Sequence, residues 1–256
     1  MTTKTLSTYR ELIWTMAKTD FKLRYHGSIL GFVWVILKPL FTFMILNFVF
    51  TNVFKGGIDF SMGMFTSLVL WGFFAEGTMV GMTALQAKAH IITKIYVPKW
   101  TIVVAATLNT LLSFILILLV VSAFLLYHNI IPNVGSILIA FYYCTLTYLL
   151  ILGFSFFTAP FFLKVRDLNQ IWEVILTAGF YVAPVIYPIE SIPAHLQQFL
   201  YLNPMTFVVV HVKNALIYNT FSFPLHHLLY LIFVIIVFCT GMALFQKTSQ
   251  RAAENV

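Results

Sequence analysis

The chain has 256 residues, of which 61% are hydrophobic and only 9% charged, whereas a soluble domain carries roughly a quarter charged residues. That is too little polar surface to face water, so a soluble all-helical protein is excluded and a bilayer is the natural solvent. A net charge of +7 does not point to nucleic acid, because the basic residues sit in short segments between long apolar runs.

Residues 6–25 open the chain and are too polar to cross a membrane. Thr8, Glu11, Thr15, Lys18 and Lys22 recur at helical spacing opposite Leu6, Tyr9, Leu12, Ile13, Met16 and Leu23. These two faces predict an amphipathic helix lying in the membrane interface, with Lys18, Lys22 and Arg24 as its basic residues and the lysines directed at anionic headgroups. A soluble helix packed on a partner would show the same faces. Asp20 interrupts the apolar side and has Arg24, one turn on, as its expected partner. The stretch lacks the apolar core of a secretory signal and the first long run lacks a clear cleavage site, so that run is expected to be retained.

Six apolar runs follow, at 29–54, 61–87, 100–127, 136–163, 169–188 and 224–245, each near or above the ~20 residues that cross a ~30 Å hydrocarbon core. Every basic residue except Lys55 and Lys213 falls in the N-terminal segment, the near end of the first run, or the loops and tail on that side. The positive-inside rule therefore places that side, with both termini, in the cytoplasm. Cys144 and Cys239 both lie inside apolar runs and read as packing residues, with no disulfide or metal set.

Pro184, Pro188, Pro193 and Pro204 interrupt the stretch between the fifth and sixth runs, and each removes a backbone donor. The fifth helix is expected to break near Pro184, followed by short re-entrant or interfacial helices on the outer side over 189–223. A structured external loop is the alternative, which the apolar Phe199, Leu200, Tyr201 and Leu202 disfavour. Ser191 is the expected N-cap of one short helix, with Pro193 in its first turn, and Asn203-Pro204 a stop and restart. The predicted fold is thus an all-α integral membrane protein with six transmembrane helices, an N-terminal amphipathic helix and short external helices between helices five and six.

Catalytic constellations are missing: the sequence holds no His-Glu-x-x-His, Gly-x-Ser-x-Gly, Cys-x-x-Cys or Gly-x-x-x-x-Gly-Lys-[Ser/Thr]. A non-catalytic subunit without cofactor or metal is expected, and any ATP must be bound by another polypeptide. Two acidic residues lie near or within the runs, Glu76 in the second and Glu173 in the fifth. An ionisable group in hydrocarbon is a functional candidate. Glu76 could line a conduit or make a packing or assembly contact, and Glu173, one or two turns from the cytoplasmic end, is expected to snorkel or to pair with Arg166 or Lys164, with a place on a water-filled path as the alternative. Aromatic residues make up 17% of the chain, more than two interfacial belts need, and their faces suit sugar C–H groups or cations. Phe73, Phe74, Trp172 and Tyr181 join Glu76 as candidate conduit residues, with a lipid-facing or helix-packing role as the ordinary alternative for any single ring. The loop 86–99 reads as a short basic helix ending at a proline, either a topology anchor or a lever for a cytoplasmic motor. Asp167 and Gln170 have the spacing of a capping box opening the fifth helix.

Taken in order, these pieces resemble the membrane subunits of ABC-2 type exporters, in the branch that moves O-antigen, capsule or teichoic-acid chains. The resemblance rests on Lys22-Leu23-Arg24-Tyr25, Ser28-Ile29-Leu30-Gly31-Phe32-Val33-Trp34, Lys38-Pro39-Leu40, Trp71-Gly72-Phe73-Phe74 and Ile92-Thr93-Lys94-Ile95-Tyr96-Val97-Pro98. Its most specific part is Arg166-Asp167-Leu168 continuing to Ala183-Pro184-Val185-Ile186-Tyr187-Pro188, then Asn203-Pro204. Members carry Ser where this chain has Ala183, which leaves no hydroxyl to act there. The resemblance implies a homodimer of six-helix subunits in the cytoplasmic (inner) membrane, two copies of a nucleotide-binding ATPase that hold ATP and Mg, and a lipid-linked glycan as substrate. It also implies ATPase coupling through the N-terminal helix and through Lys88, His90, Lys94, Tyr96 and Pro98. The external gate would be formed around Pro184, Tyr187, Pro188, Pro193, Asn203 and Pro204.

Three rivals remain. An ABC-2 exporter of drugs or small lipids differs only in substrate. A membrane-embedded glycosyl- or acyltransferase should cluster His, Asp or Arg at one membrane face. A secondary carrier should interrupt helices in both halves, whereas prolines crowd only the C-terminal half here.

Overall fold

The structure, a computed structural model, describes residues 3–24, 27–92, 94, 97–220 and 225–251, and among these every regular element is helical. α1 spans Thr3–Arg24, α2 Trp34–Phe54, α3 Ile58–Ala87, α4 Ala89–Ile92, α5 Lys99–Tyr127 and α6 Val134–Phe162. α7 spans Leu168–Val182, α8 Ala194–Leu200, α9 Pro204–Tyr218 and α10 Leu225–Arg251. Five helical stretches are long and apolar enough to cross a membrane: Gly31–Phe54, Ile58–Ala87, Lys99–Tyr127, Val134–Phe162 and Leu225–Thr248.

The fifth predicted run departs from this pattern. Helix forms only over α7, 15 residues or about 22 Å. Ala183 leaves the helix with φ −70° and ψ 141°, because the ring of Pro184 crowds a helical predecessor. A short 3₁₀ turn, Ile189–Ser191, follows. Ser191 does not cap α8 as expected. Its hydroxyl donates to the Pro188 carbonyl within that turn (2.7 Å), and Pro193 itself precedes the helix. Asn203 does cap α9, accepting from Met205 N–H at 3.0 Å with Pro204 in the first turn. The box expected at Asp167 does not form, since Asp167 already has helical backbone angles and makes no side-chain cap bond.

α3 is the axial helix. It is buried around most of its circumference and packs against α2, α5, α6, α7 and α9. Without a hydrophobic force between helices in lipid, close approach through small residues holds such bundles together. Gly77 and Gly81, one turn apart on α3, meet α6 in this way: a Cβ at Gly77 would lie 2.8 Å from Ile151, and Gly81 lies against Ser155. On another face of α6, a Cβ at Gly153 would lie 2.7 Å from the Phe238 backbone of α10, and Gly241 abuts the Gly153 carbonyl.

α9 runs between two fixed points. At its start Asn203 Nδ2 donates to the Gly179 carbonyl (3.1 Å), and Gly179 sits close against Trp71 near the middle of α3. At its end Asn219, left-handed at φ 52°, accepts from Asn133 N–H (2.7 Å) and from the Ser136 hydroxyl (2.9 Å) at the start of α6.

α1 packs on α5, with Ala17 fully buried and Tyr9 edge-on to Trp100 at 5.9 Å. Its packed side is narrower than the sequence pattern, for Leu23 is exposed while Asp20 is partly covered. The expected Asp20–Arg24 pair does not form: Asp20 pairs with Lys88 and Arg24 with Glu76. Partners on α3 and at its end take both charges and tie α1 to the bundle. Tyr25, the expected end of the first helix, lies outside the described residues, as do residues 221–224.

Candidate functional site

A cleft of about 530 Å³ opens between α2, α3, α5 and α7, with Arg24 at its edge. Trp34, Val35, Lys38 and Thr42 of α2 face Leu68, Gly72, Phe73 and Glu76 of α3 across it, and Glu173 and Leu176 of α7 close another side. Its floor comes from α5, where Thr110 and Ser113 are almost fully buried. Their hydroxyls bond their own helix carbonyls, Thr110 to Thr107 at 2.7 Å and Ser113 to Asn109 at 3.4 Å, so the floor is polar but satisfied. Phe73 stacks on Phe114 at 4.1 Å and 11°. A Cβ at Gly72 would meet nothing within 4 Å, so this glycine serves the width of the cleft.

Four charges face this space, Arg24 and Lys38 against Glu76 and Glu173. The guanidinium of Arg24 pairs with the carboxylate of Glu76. The Arg166 or Lys164 pairing expected of Glu173 is not what the structure shows, for its exposed side chain looks into the cleft instead. α7 is positioned so that Glu173 and Leu176, one turn apart, both point there. A cleft that gathers both charge signs between rings and hydroxyls can hold a solute far more polar than lipid.

At the α1 end of the bundle Asp20 pairs with Lys88, the residue that ends α3. α4 follows with His90 in its four residues, Lys94 is exposed, and Pro98 caps α5 while its carbonyl accepts from Thr101 N–H at 2.9 Å. Tyr96 lies outside the described residues. Lys18 and Lys22 are exposed on α1. Of the basic helix expected over 86–99, the described residues show the four-residue α4 after the end of α3 at Ala87.

Of the five conduit candidates, Glu76 and Phe73 line the cleft. Phe74 and Trp172 instead pack α7 onto its neighbours: Trp172 stacks on Phe154 at 4.1 Å, meets Phe74 at 6.4 Å, and donates from Nε1 to Thr78 at 3.0 Å. Tyr181 is exposed on α7. At the opposite end of the bundle from α1, Tyr187 donates to the Val182 carbonyl at 2.7 Å and folds the Pro184–Pro188 link back onto the open end of α7.

The family model for ABC-2 type transporters matches residues 11–217, a stretch that takes in most of α1, every wall of the cleft and nearly all of α9. The chain belongs to the ABC-2 type transporter family. It is similar along its length to two O-antigen export system permease proteins RfbA of Klebsiella pneumoniae, each 26% identical over 249 residues, covering 95% of this chain and 94% of that protein. It is also similar to the O-antigen export system permease protein RfbA of Myxococcus xanthus, 28% identical over 207 residues, covering 77% of this chain and 76% of that protein. As an ABC-2 chain it is a multi-pass membrane transport subunit, and its cleft brings two acidic and two basic side chains together beside buried hydroxyls. Sequence reasoning missed Lys38, Thr110 and Ser113 as cleft residues. The signal available was the polar group Thr107, Asn109, Thr110 and Ser113 inside the long run 100–127.

Proposed function

We propose that this chain is the permease subunit of an ATP-driven exporter that moves a lipid-linked polysaccharide, of O-antigen, capsule or teichoic-acid type, across the cytoplasmic membrane. The observation that carries the reading is end-to-end similarity to proteins named as O-antigen export permeases. The cleft supports it, because a purely apolar cargo needs no four charges and no hydroxylated floor. An exporter of drugs or small lipids is the second reading, and the mixed lining weighs against it.

The subunit works as a homodimer with two ATPase subunits that hold ATP and Mg. α2 buries only Val35 and Phe43, and α7 only Leu176, so the two helices flanking the cleft present their outer faces to a second copy. Counting α7 with the Pro184–Tyr218 segment as a sixth crossing leaves both termini cytoplasmic. The short α8 and α9 then re-enter the outer leaflet, as the contact between Asn203 and Gly179 near mid-α3 supports. The α1 end, rich in lysine, faces the cytoplasm and meets the ATPases. Nucleotide on the partner favours one of two arrangements of the paired subunits, and α1 with the α3–α5 link carries that bias to the cleft walls.

The test is reconstitution of the permease with its ATPase in vesicles loaded with lipid-linked glycan, following exposure of the glycan to an impermeant oxidant. ATP-dependent exposure is expected. Glycan movement without the ATPase, or ATP-driven movement of an apolar dye but of no glycan, would defeat the reading.

A further inference from the structure

A second cavity lies at the end of the bundle opposite α1, apart from the cleft. Its volume is about 450 Å³, within the range of small-molecule sites. Three elements build it: the start of α3 with Phe60, the link after α7 with Tyr187 and Glu190, and the end of α9 with Lys213, Asn214 and Tyr218.

We infer that this pocket is a saccharide-binding site for a neutral mono- or disaccharide unit. The inference starts from three polar heads. Glu190, Lys213 and Asn214 face the pocket, yet none has a side-chain hydrogen bond or ion pair among the described residues, and Lys213 and Glu190 do not close on each other. A carboxylate that accepts, an ammonium that donates and a carboxamide that does both match the vicinal hydroxyls of a sugar. The charges also exclude alternatives: Glu190 repels a phosphate that Lys213 would attract, and Lys213 repels a cation that Glu190 would attract. A neutral polyol satisfies both.

The remaining walls fit the apolar face of a pyranose ring. Phe60, Tyr187 and Tyr218 supply aromatic surface. The hydroxyl of Tyr187 is already engaged by the Val182 carbonyl, which fixes its ring as a wall. Tyr218 is held at the end of α9 by its neighbour Asn219, pinned to α6. Gly63 makes room for the stem of Lys213, since a Cβ there would lie 3.0 Å from its Cδ. On the export reading, the occupant is a sugar of the emerging glycan, held as it leaves the bundle. That assignment rests on the export reading, whereas binding itself does not.

The experiment uses the full chain in lipid nanodiscs and measures saturation transfer from protein to the methyl glycosides of galactose, mannose, rhamnose and N-acetylglucosamine, with glucuronate as the anionic probe. Binding of at least one neutral glycoside is expected, weakened about tenfold by Glu190→Gln and by Asn214→Ala and unchanged by Thr240→Ala on the exposed face of α10, away from both the pocket and the cleft. Each variant is checked for an unaltered unfolding temperature. Absence of binding by all neutral probes, preference for glucuronate, or binding indifferent to both pocket variants would overturn the inference. If export fails in the vesicle test while glycoside binding persists, the transport reading falls and the pocket stands. Export without glycoside binding removes the pocket and leaves the transport reading in place.

Discussion

The guanidinium of Arg24, the last residue of α1, pairs with the carboxylate of Glu76 on the wall of the cleft. The chain's first helix is thereby joined to the surface along which, on the proposed reading, cargo moves. Both side chains are more than a third exposed, 36% and 38%, so solvent screens the pair and its contribution to stability stays within about 1 kcal/mol. Glu76→Gln should therefore leave the unfolding temperature nearly unchanged and reduce ATP-driven glycan export severalfold. The exchange Arg24→Glu with Glu76→Arg should recover part of the loss. Equal export by wild type and Glu76→Gln would show that the pair carries no motion.

Asp20 and Lys88 form a second tie, at the end of α3 beside the link to α5. If this link relays ATPase movement, Asp20→Asn should uncouple the complex. ATP hydrolysis by the reconstituted assembly would continue while glycan movement per ATP falls. A variant in which hydrolysis and export fall in step would instead mark Asp20 as a docking residue.

The glycines divide by what surrounds them. Gly153→Ala drives a Cβ into the Phe238 backbone, which cannot rotate away, and should cost about 1–3 kcal/mol by overpacking. Gly72→Ala meets open space and should be neutral or stabilising by up to about 1 kcal/mol through helix propensity. Thermal unfolding in detergent distinguishes the two, and equal shifts would contradict the α6–α10 packing.

The thinly buried faces of α2 and α7 call for a partner copy. With Cys144→Ala and Cys239→Ala as background, Phe48→Cys or Ile175→Cys should give an oxidised dimer in native membranes, since bridging needs Cα atoms within about 7 Å. Ile236→Cys on α10, also exposed, should remain monomeric. Cross-linking at Ile236 alone would move the interface to α10.

Much of the architecture could be read without coordinates, because spanning helices announce themselves by length. The runs 61–87, 100–127 and 136–163 match α3, α5 and α6 within three residues at each end. The restart at Asn203-Pro204 was equally legible, since capping chemistry is local. Ser191 and Asp167 misled for the same local reason: each has the right residue type, but its backbone angles and neighbours send the side chain elsewhere.

Composition and charge order by themselves determined that the chain belongs in lipid, how its long helices are punctuated, and which end carries the positive flank, because transfer free energy sums along contiguous residues. Only the tertiary structure decided that Asp20 and Arg24 part company for Lys88 and Glu76, that Trp172 packs while Glu173 faces open space, and that Lys213 and Glu190 share a pocket. Such choices depend on which helix faces meet, and residues far apart in sequence compete for a charge on equal terms with a neighbour one turn away.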